Sequence, residues 1–297
     1  MGSRTRDGER KPWTPERVVD ASLARNLVGE RFFTPRSVEP FGEGWDNTAF
    51  LFDRAWVFRF PRRESAVALL NNEARLLPSL AARLPLPVPD LELFAESGGE
   101  RFPWPFAGYR LIEGQTTDDA EPGDAARTAA APVLGNFLRA LHEQPDEAPK
   151  DSLGRTDVVK LQRLLRERLP LVGIEPPAWV DEPIDAPDLT RLVHGDLHPG
   201  QVLFHDGRVS GVIDWGDAHR GHPGVDLSIA WSLLPASARP AFRAAYGPID
   251  AGTWRLARLR ALHLCAALAV YAKDRGDIVL QQKALGGIQR ASTTEDA

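Results

Sequence analysis

The chain has 297 residues, 43% of them hydrophobic, with a formal net charge of −5 and one cysteine, enough for one large domain or two lobes around a real core. The acidic balance gives no reason to expect a nucleic-acid partner, and without a run of about 18 apolar residues no membrane span is expected. The charged start has no apolar stretch and is no secretory signal, so residues 1–12 read as a disordered tail, and Cys265, inside an apolar helical run, reads as a small core residue in a reducing, cytoplasmic setting.

Thr14-Pro15-Glu16 offers an N-cap, a first-turn proline and an acid at the helix start, so a helix is expected from there to about Leu27. Strand-like runs follow at 37–41, 47–52 and 55–60, joined by Gly42-Glu43-Gly44 and by Asp53-Arg54. Residues 63–84 have helical apolar spacing, with Pro78 expected to kink the helix or end it early. Pro85, Pro87 and Pro89 force an extended connector, and 91–95 and 106–112 read as two more strands. The polar stretch 115–124 reads as a link between lobes. Helices are then expected over 125–142, kinked or restarted at Pro132, and over 158–169, 226–234, 237–246, 253–273 and 277–288. The fold class is α+β: a small β-rich N-terminal lobe, 1–114, and a larger, mostly helical C-terminal lobe, 115–297, with a central set of short strands.

The most informative stretch is Leu192 to Trp215, LVHGDLHPGQVLFHDGRVSGVIDW. Asp196 and Asp214 sit at the ends of two short strand-like runs, 214 − 196 = 18 residues apart, room for a strand, a tight turn and a second strand. An antiparallel hairpin returns both carboxylates to the same end. That layout suits phosphoryl transfer, where one carboxylate accepts the proton of an attacking hydroxyl and another holds the magnesium that screens the phosphates.

His-Gly-Asp-Leu-His-Pro-Gly, the Val-Leu-Phe strand, Ile-Asp-Trp and the following Gly-His-Pro-x-x-Asp together resemble the aminoglycoside phosphotransferase family, whose fold is protein-kinase-like. The resemblance spans most of the chain. It implies Asp196 as catalytic base and Asp214 as magnesium ligand. Gln201 stands where that family usually has Asn as second metal ligand; its amide oxygen can still bind magnesium, one methylene further out. Arg59, in Val57-Phe58-Arg59-Phe60, takes the place of the phosphate-gripping lysine of protein kinases, and a guanidinium can grip phosphate in bidentate fashion. Glu73 on the following helix fits the acid that pairs with that cation. Gly42 and Gly44 mark the candidate phosphate-covering loop, where glycine allows close backbone approach and positive φ. Leu111 and Ile112 belong to the candidate hinge for the nucleotide base, which leaves ATP and GTP equally open. Asp226 matches a residue that braces the catalytic loop, while His194 reads as loop support and His198 as a residue lining the site.

The resemblance thus implies a magnesium- and nucleotide-dependent kinase acting on a hydroxyl of an aminoglycoside-like small molecule, with antibiotic resistance as one role. For a polycationic acceptor Asp217, Asp274 and Asp277 are the candidate acids. For a macrolide, Trp231, Trp254 and Tyr271 could line an apolar pocket, and a metabolic acceptor is equally allowed. A silent nucleotide-binding module is the rival from another class, supported by Gln201 and the incomplete glycine loop. A protein kinase is disfavoured, because only ten residues run from Asp217 to Asp226 with no Ala-Pro-Glu segment.

Overall fold

Alternating phenylalanines build the first sheet. In the computed structural model, which describes residues 14–293 apart from the side chain of Asp118, helix α1 (Ala21–Arg31) precedes strands β1 (Val38–Glu43), β2 (Asn47–Phe52) and β3 (Trp56–Pro61), which pair antiparallel in sequence. After helix α2 (Glu64–Ala81), strands β4 (Leu93–Ala95) and β5 (Phe106–Arg110) complete five strands in the order β1-β2-β3-β5-β4. Because side chains alternate across a strand, Phe50, Phe52, Phe58, Phe60 and Phe106 share one buried face, which Leu27 and Val28 of α1 cover. Phe60 and Phe106 stack at 5.1 Å between ring centroids, and Phe52 meets Phe58 edge-on at 4.9 Å.

The helix expected from Thr14 begins instead at Ala21 and runs to Arg31, capped by Asp20, whose Oδ1 accepts from Leu23 N at 2.8 Å. The Thr14 cap signature loses to a longer-range pairing. Glu16 and Arg17 both donate their N–H to Arg62 O, at 2.8 and 3.1 Å, and hold that segment beyond the end of β3. Helix α2 passes Pro78 and ends at Ala81, since a proline so near the end removes only one late hydrogen bond. The tail expected at 1–12 lies outside the described residues.

The described chain divides into two compact units, one made of the residues up to Pro78 with Asp90–Leu111, the other of Ser79–Pro89 with the residues from Ile112 on. In the second, the expected linker folds into strand β6 (Gln115–Thr116) and a single turn, α3 (Thr117–Ala120). Helix α4 (Asp124–His142) runs unbroken through Pro132, followed by α5 (Val158–Arg168). Strand β7 (Arg191–Val193) leads into the loop carrying Asp196, then come β8 (Val202–His205) and β9 (Arg208–Val212). Asp206 and Gly207 join these two strands with φ of 47° and 72°, the left-handed pair that closes a two-residue hairpin. Strand β10 (His219–Gly221) pairs with β7. The helix expected over 226–234 is two separate turns, α6 (Gly224–Leu227) and α7 (Ile229–Ser232). Helices α8 (Arg239–Tyr246), α9 (Ala251–Arg275) and α10 (Ile278–Ser292) complete the unit, with α10 starting from an Asp277 cap.

Candidate active site

Asp196 sits on a loop fixed from beneath. Asp226, fully buried, accepts from His194 N at 2.7 Å and Gly195 N at 3.0 Å, and its Oδ2 lies 3.2 Å from His142 Nε2. His142 Nδ1 in turn meets the Tyr246 hydroxyl at 2.8 Å. Burial alone would raise the Asp226 carboxyl, but the His142 hydrogen bond, the His142 and His194 charges and the Gly195 N–H prevail and hold it below its ordinary range. Gly195 has φ of 89°, and a Cβ there would come within 2.2 Å of Asp217 O and 2.6 Å of His219 Nδ1, so only glycine fits. His194 packs against Trp215, ring centroids 4.7 Å apart, and its Nε2 lies 3.0 Å from Ile213 O. Asp226 and His194 thus support the loop from below, and Asp196 is left partly exposed, at 37%.

The β8–β9 hairpin returns the chain to Asp214 beside Gln201. Gln201 Nε2 donates to Asp214 Oδ2 at 3.2 Å and lies 3.1 Å from His198 Nε2. His198 Nδ1 accepts from Gly200 N at 3.1 Å. The Gln201 amide therefore sits against the Asp214 carboxylate, and its oxygen becomes available to a cation there once the amide turns over. Carboxylate and amide oxygens are hard donors of the kind magnesium takes alongside phosphate oxygens. Among the described residues no group of three or more His, Cys, Asp or Glu could hold a metal ion. Asp214 has φ of 67°, a strained region for a residue other than glycine that concentrates at functional sites.

Around Asp196 lies a charge network with no sequence signature. Arg260 of α9, only 7% exposed, places Nη2 3.9 Å from Asp196 Oδ1, and its buried Nε has no hydrogen-bond partner among the described residues. Arg155 donates to Asp151 Oδ1 at 2.8 Å and to Asp217 in a short contact. Burial first, then the Asp196 charge, raises the Asp217 carboxyl above its usual range against the pull of Arg155. Behind Arg260, His263 is pushed down to about 3 by burial and by Arg260 and Arg168, so the ring is neutral and accepts from Arg168 Nη1 at 2.8 Å. Charged residues punctuating the apolar run of α9 were the one available hint of Arg260.

In the first unit Arg59 on β3 donates Nη1 to both Glu73 oxygens at 2.8 Å, and Glu73 is fully buried. A carboxylate there holds the guanidinium in one place. Gly42 and Gly44 were expected to supply positive φ. Neither has it, and their use is open space: a Cβ on Gly42 would meet nothing within 4 Å, and one on Gly44 only Asn47 O at 3.9 Å. Leu111 donates its N–H to Ala55 O at 2.9 Å, while Ile112 packs over Gly211. Of the residues offered for an apolar acceptor pocket, Trp231 and Trp254 pack on each other at 5.1 Å with Arg239 over Trp231 at 4.0 Å, and Tyr271 carries Arg275 over its ring. The two tryptophans are buried and serve helix packing. Asp277 is spent as the α10 cap.

A five-stranded sheet with an Arg–Glu pair on its third strand and next helix, and a helical unit with a braced His-Gly-Asp loop before an Ile-Asp-Trp hairpin end, define the kinase-like phosphotransferase class. The model of the phosphotransferase enzyme family, APH, matches residues 37–262, and the chain belongs to that family. It is 27% identical over 197 residues to the uncharacterized protein YcbJ of Bacillus subtilis (strain 168), a match covering 60% of this chain and 63% of that protein, so just under two thirds of that relative is spanned. Among solved structures the fold is similar to the GDP complex of wild-type aminoglycoside 2'-phosphotransferase-IIIa, with 24% identity, TM-score 0.68 and coverage of 92% of this chain and 98% of that one. A GDP and kanamycin complex of an APH(2") enzyme matches at 24% identity and TM-score 0.68, covering 89% and 96%. Macrolide 2'-phosphotransferase MphH from Brachybacterium faecium, as apoenzyme, matches at 23% identity and TM-score 0.64, covering 91% and 97%. No helix of the described residues is long and apolar enough to cross a membrane.

Proposed function

We propose that the protein transfers the γ-phosphoryl group of ATP or GTP to a hydroxyl of a small molecule. Asp196 orients the hydroxyl and accepts its proton. Asp214 and Gln201 would hold magnesium, which would screen the phosphate charge. Arg59, fixed by Glu73, grips the phosphates, with Gly42 and Gly44 leaving the backbone open above them, and Leu111 and Ile112 flank the base. The observation that carries this reading is the rigid seat of Asp196, two backbone N–H groups anchored on the buried Asp226, with the Gln201–Asp214 oxygen donors one hairpin away. Positioning and electrostatics are most of what phosphoryl transfer asks of a protein.

An aminoglycoside-like acceptor is the first expectation, supported by the kanamycin complex of the APH(2") neighbour, with Asp217 as the acid an amine would meet. The macrolide reading draws on MphH, without the aromatic lining expected for it. Phosphorus NMR of the protein with magnesium, ATP or GTP and a panel of hydroxyl compounds tests the reading: a new phosphomonoester signal is expected, and nucleotide consumed with no phosphorylated product in any mixture would contradict it.

A further inference from the structure

The second unit encloses a cavity of about 320 Å³ between α3, the Asp196 loop, α9 and α10. His198, Pro199 and Gly200 form one wall, so the loop that carries Asp196 also shapes this space. The size is at the lower end of small-molecule pockets. Its apolar walls come mainly from Cys265, Leu268 and Leu280.

Its charged lining is unbalanced. Among the described residues, Arg127, Lys283 and Arg290 line the cavity with one carboxylate, Glu121, which is largely exposed and already 3.7 Å from Lys283. The two arginines have no ion pair among the described residues and are held by backbone carbonyls alone. Arg127 Nε donates to Pro122 O at 2.8 Å and Nη1 to Leu233 O at 3.2 Å, while Arg290 Nε donates to Ser232 O at 2.7 Å. Arg127 Nη2 and both Arg290 Nη groups have no hydrogen-bond partner among the described residues. Burial, and then the charge of Arg127, pulls the Arg290 guanidinium down to about 10, against the Asp124 charge, which raises both arginines without an ion pair to either. Half-buried cations with no carboxylate in direct contact among the described residues are costly, and an anion set between them removes the cost. A polycation would add to it.

We propose that this cavity receives an anionic group, carboxylate or phosphate, of the hydroxyl acceptor, with Arg127 and Arg290 as its two-sided clamp. On this proposal the acceptor is a small anionic or amphipathic hydroxyl compound, which replaces the polycationic aminoglycoside suggested by the family neighbours. The word acceptor rests on the kinase reading; the anion site does not.

Gly286 supplies the decisive variant. It lines the cavity in α10, and a Cβ there would stand 3.4 Å from Arg290 Nη1, the flexible end of that side chain. Gly286→Asp carries the missing carboxylate into the cavity, and replacing a helical glycine does not weaken the helix. Arg290→Gln removes the cation but also the bond to Ser232 O, so the two variants check each other. The first readout is the thermal midpoint in inorganic phosphate against chloride at equal ionic strength. Wild type is expected to gain stability with phosphate, and both variants to lose that increment. Equal gains in all three proteins would overturn the anion site, because phosphate held elsewhere, as at Arg59, is common to all.

The second readout is magnesium-dependent nucleoside diphosphate release with a hydroxycarboxylate, a neutral polyol of similar size, and kanamycin. The hydroxycarboxylate is expected to be preferred. Gly286→Asp is expected to raise its KM by about 10- to 100-fold, the worth of a charged hydrogen bond, with kcat little moved. If the variants lose phosphate protection yet the accepted compound is kanamycin, with KM indifferent to Gly286→Asp, the acceptor assignment is wrong. If wild type turns over nothing while phosphate protection still depends on Arg290 and Gly286, the kinase reading and the acceptor fall together and the anion site stands.

Discussion

Asp226→Ala should be the most damaging single change away from the reacting atoms. The carboxylate is fully buried and serves three partners, the N–H groups of His194 and Gly195 and the His142 ring. Its removal leaves two buried backbone donors unpaired, each worth about 1–3 kcal/mol, and breaks a buried charged contact, for which about 3–5 kcal/mol is usual. These overlap, so a loss of about 3–5 kcal/mol is expected, read as a lower urea midpoint at unchanged slope. Asp226→Asn keeps one acceptor and should fall between. The sign with pH follows from the folded-state pKa, which lies below the ordinary carboxylate value. The stabilisation is full above the unfolded value near pH 4 and fades as pH falls through the folded value. The gap between wild type and variant should thus be constant from about pH 5 to 7 and narrow only in stronger acid. A loss under about 1 kcal/mol, or a gap that closes already between pH 5 and 7, would refute the bracing role.

Three further outcomes are expected. Gly195→Ala, blocked by Asp217 O at 2.2 Å and strained at φ of 89°, should cost well over 2 kcal/mol, whereas Gly173→Ala, with φ of 78° and nothing within 4 Å, should cost only the left-handed strain of about 1–2 kcal/mol; equal losses in thermal melts would count against the steric argument. Glu73→Gln should raise the nucleotide KM about tenfold by loosening Arg59, and an Arg59→Met, Glu73→Gln double variant should be little worse than Arg59→Met alone; additive effects in steady-state kinetics would separate the pair. Asp217→Asn tests a raised pKa. Because the folded value lies above the unfolded one, the ionised group costs stability at neutral pH, and the cost disappears once pH falls below the unfolded value near 4. The variant should therefore melt higher than wild type at pH 7 and level with it in acid, and a variant destabilised at pH 7 would reverse the assignment.

Much of the fold was legible because its signals are local. The strand-like runs of β2 and β3 and the tight turn between β8 and β9 need only near neighbours, and that hairpin alone returns Asp214 beside Gln201. The helix begun at Thr14 failed for the opposite reason: a sound cap lost to two hydrogen bonds from Glu16 and Arg17 to Arg62, a pairing no local pattern announces. Pro78 and Pro132 read as a kink, an early end or a restart, and both helices continue past them. Around Asp196, the His-Gly-Asp loop and its Asp226 support were visible as motif. Arg155 and Arg260 were not, since they reach the loop from the turn before α5 and from α9 and look like ordinary surface charge in one dimension. The cavity arginines were hidden for the same reason, because Arg127 and Arg290 lie far apart in the second unit's sequence.

The most direct test of the kinase account is acceptor-stimulated, magnesium-dependent release of nucleoside diphosphate from ATP and from GTP, measured side by side for wild type, Asp196→Asn and Asp214→Asn. The account predicts stimulated release in wild type, a loss of at least about 10²-fold in kcat for Asp196→Asn with nucleotide binding kept, and a raised magnesium requirement for Asp214→Asn. Undiminished release in the Asp196→Asn protein would contradict it.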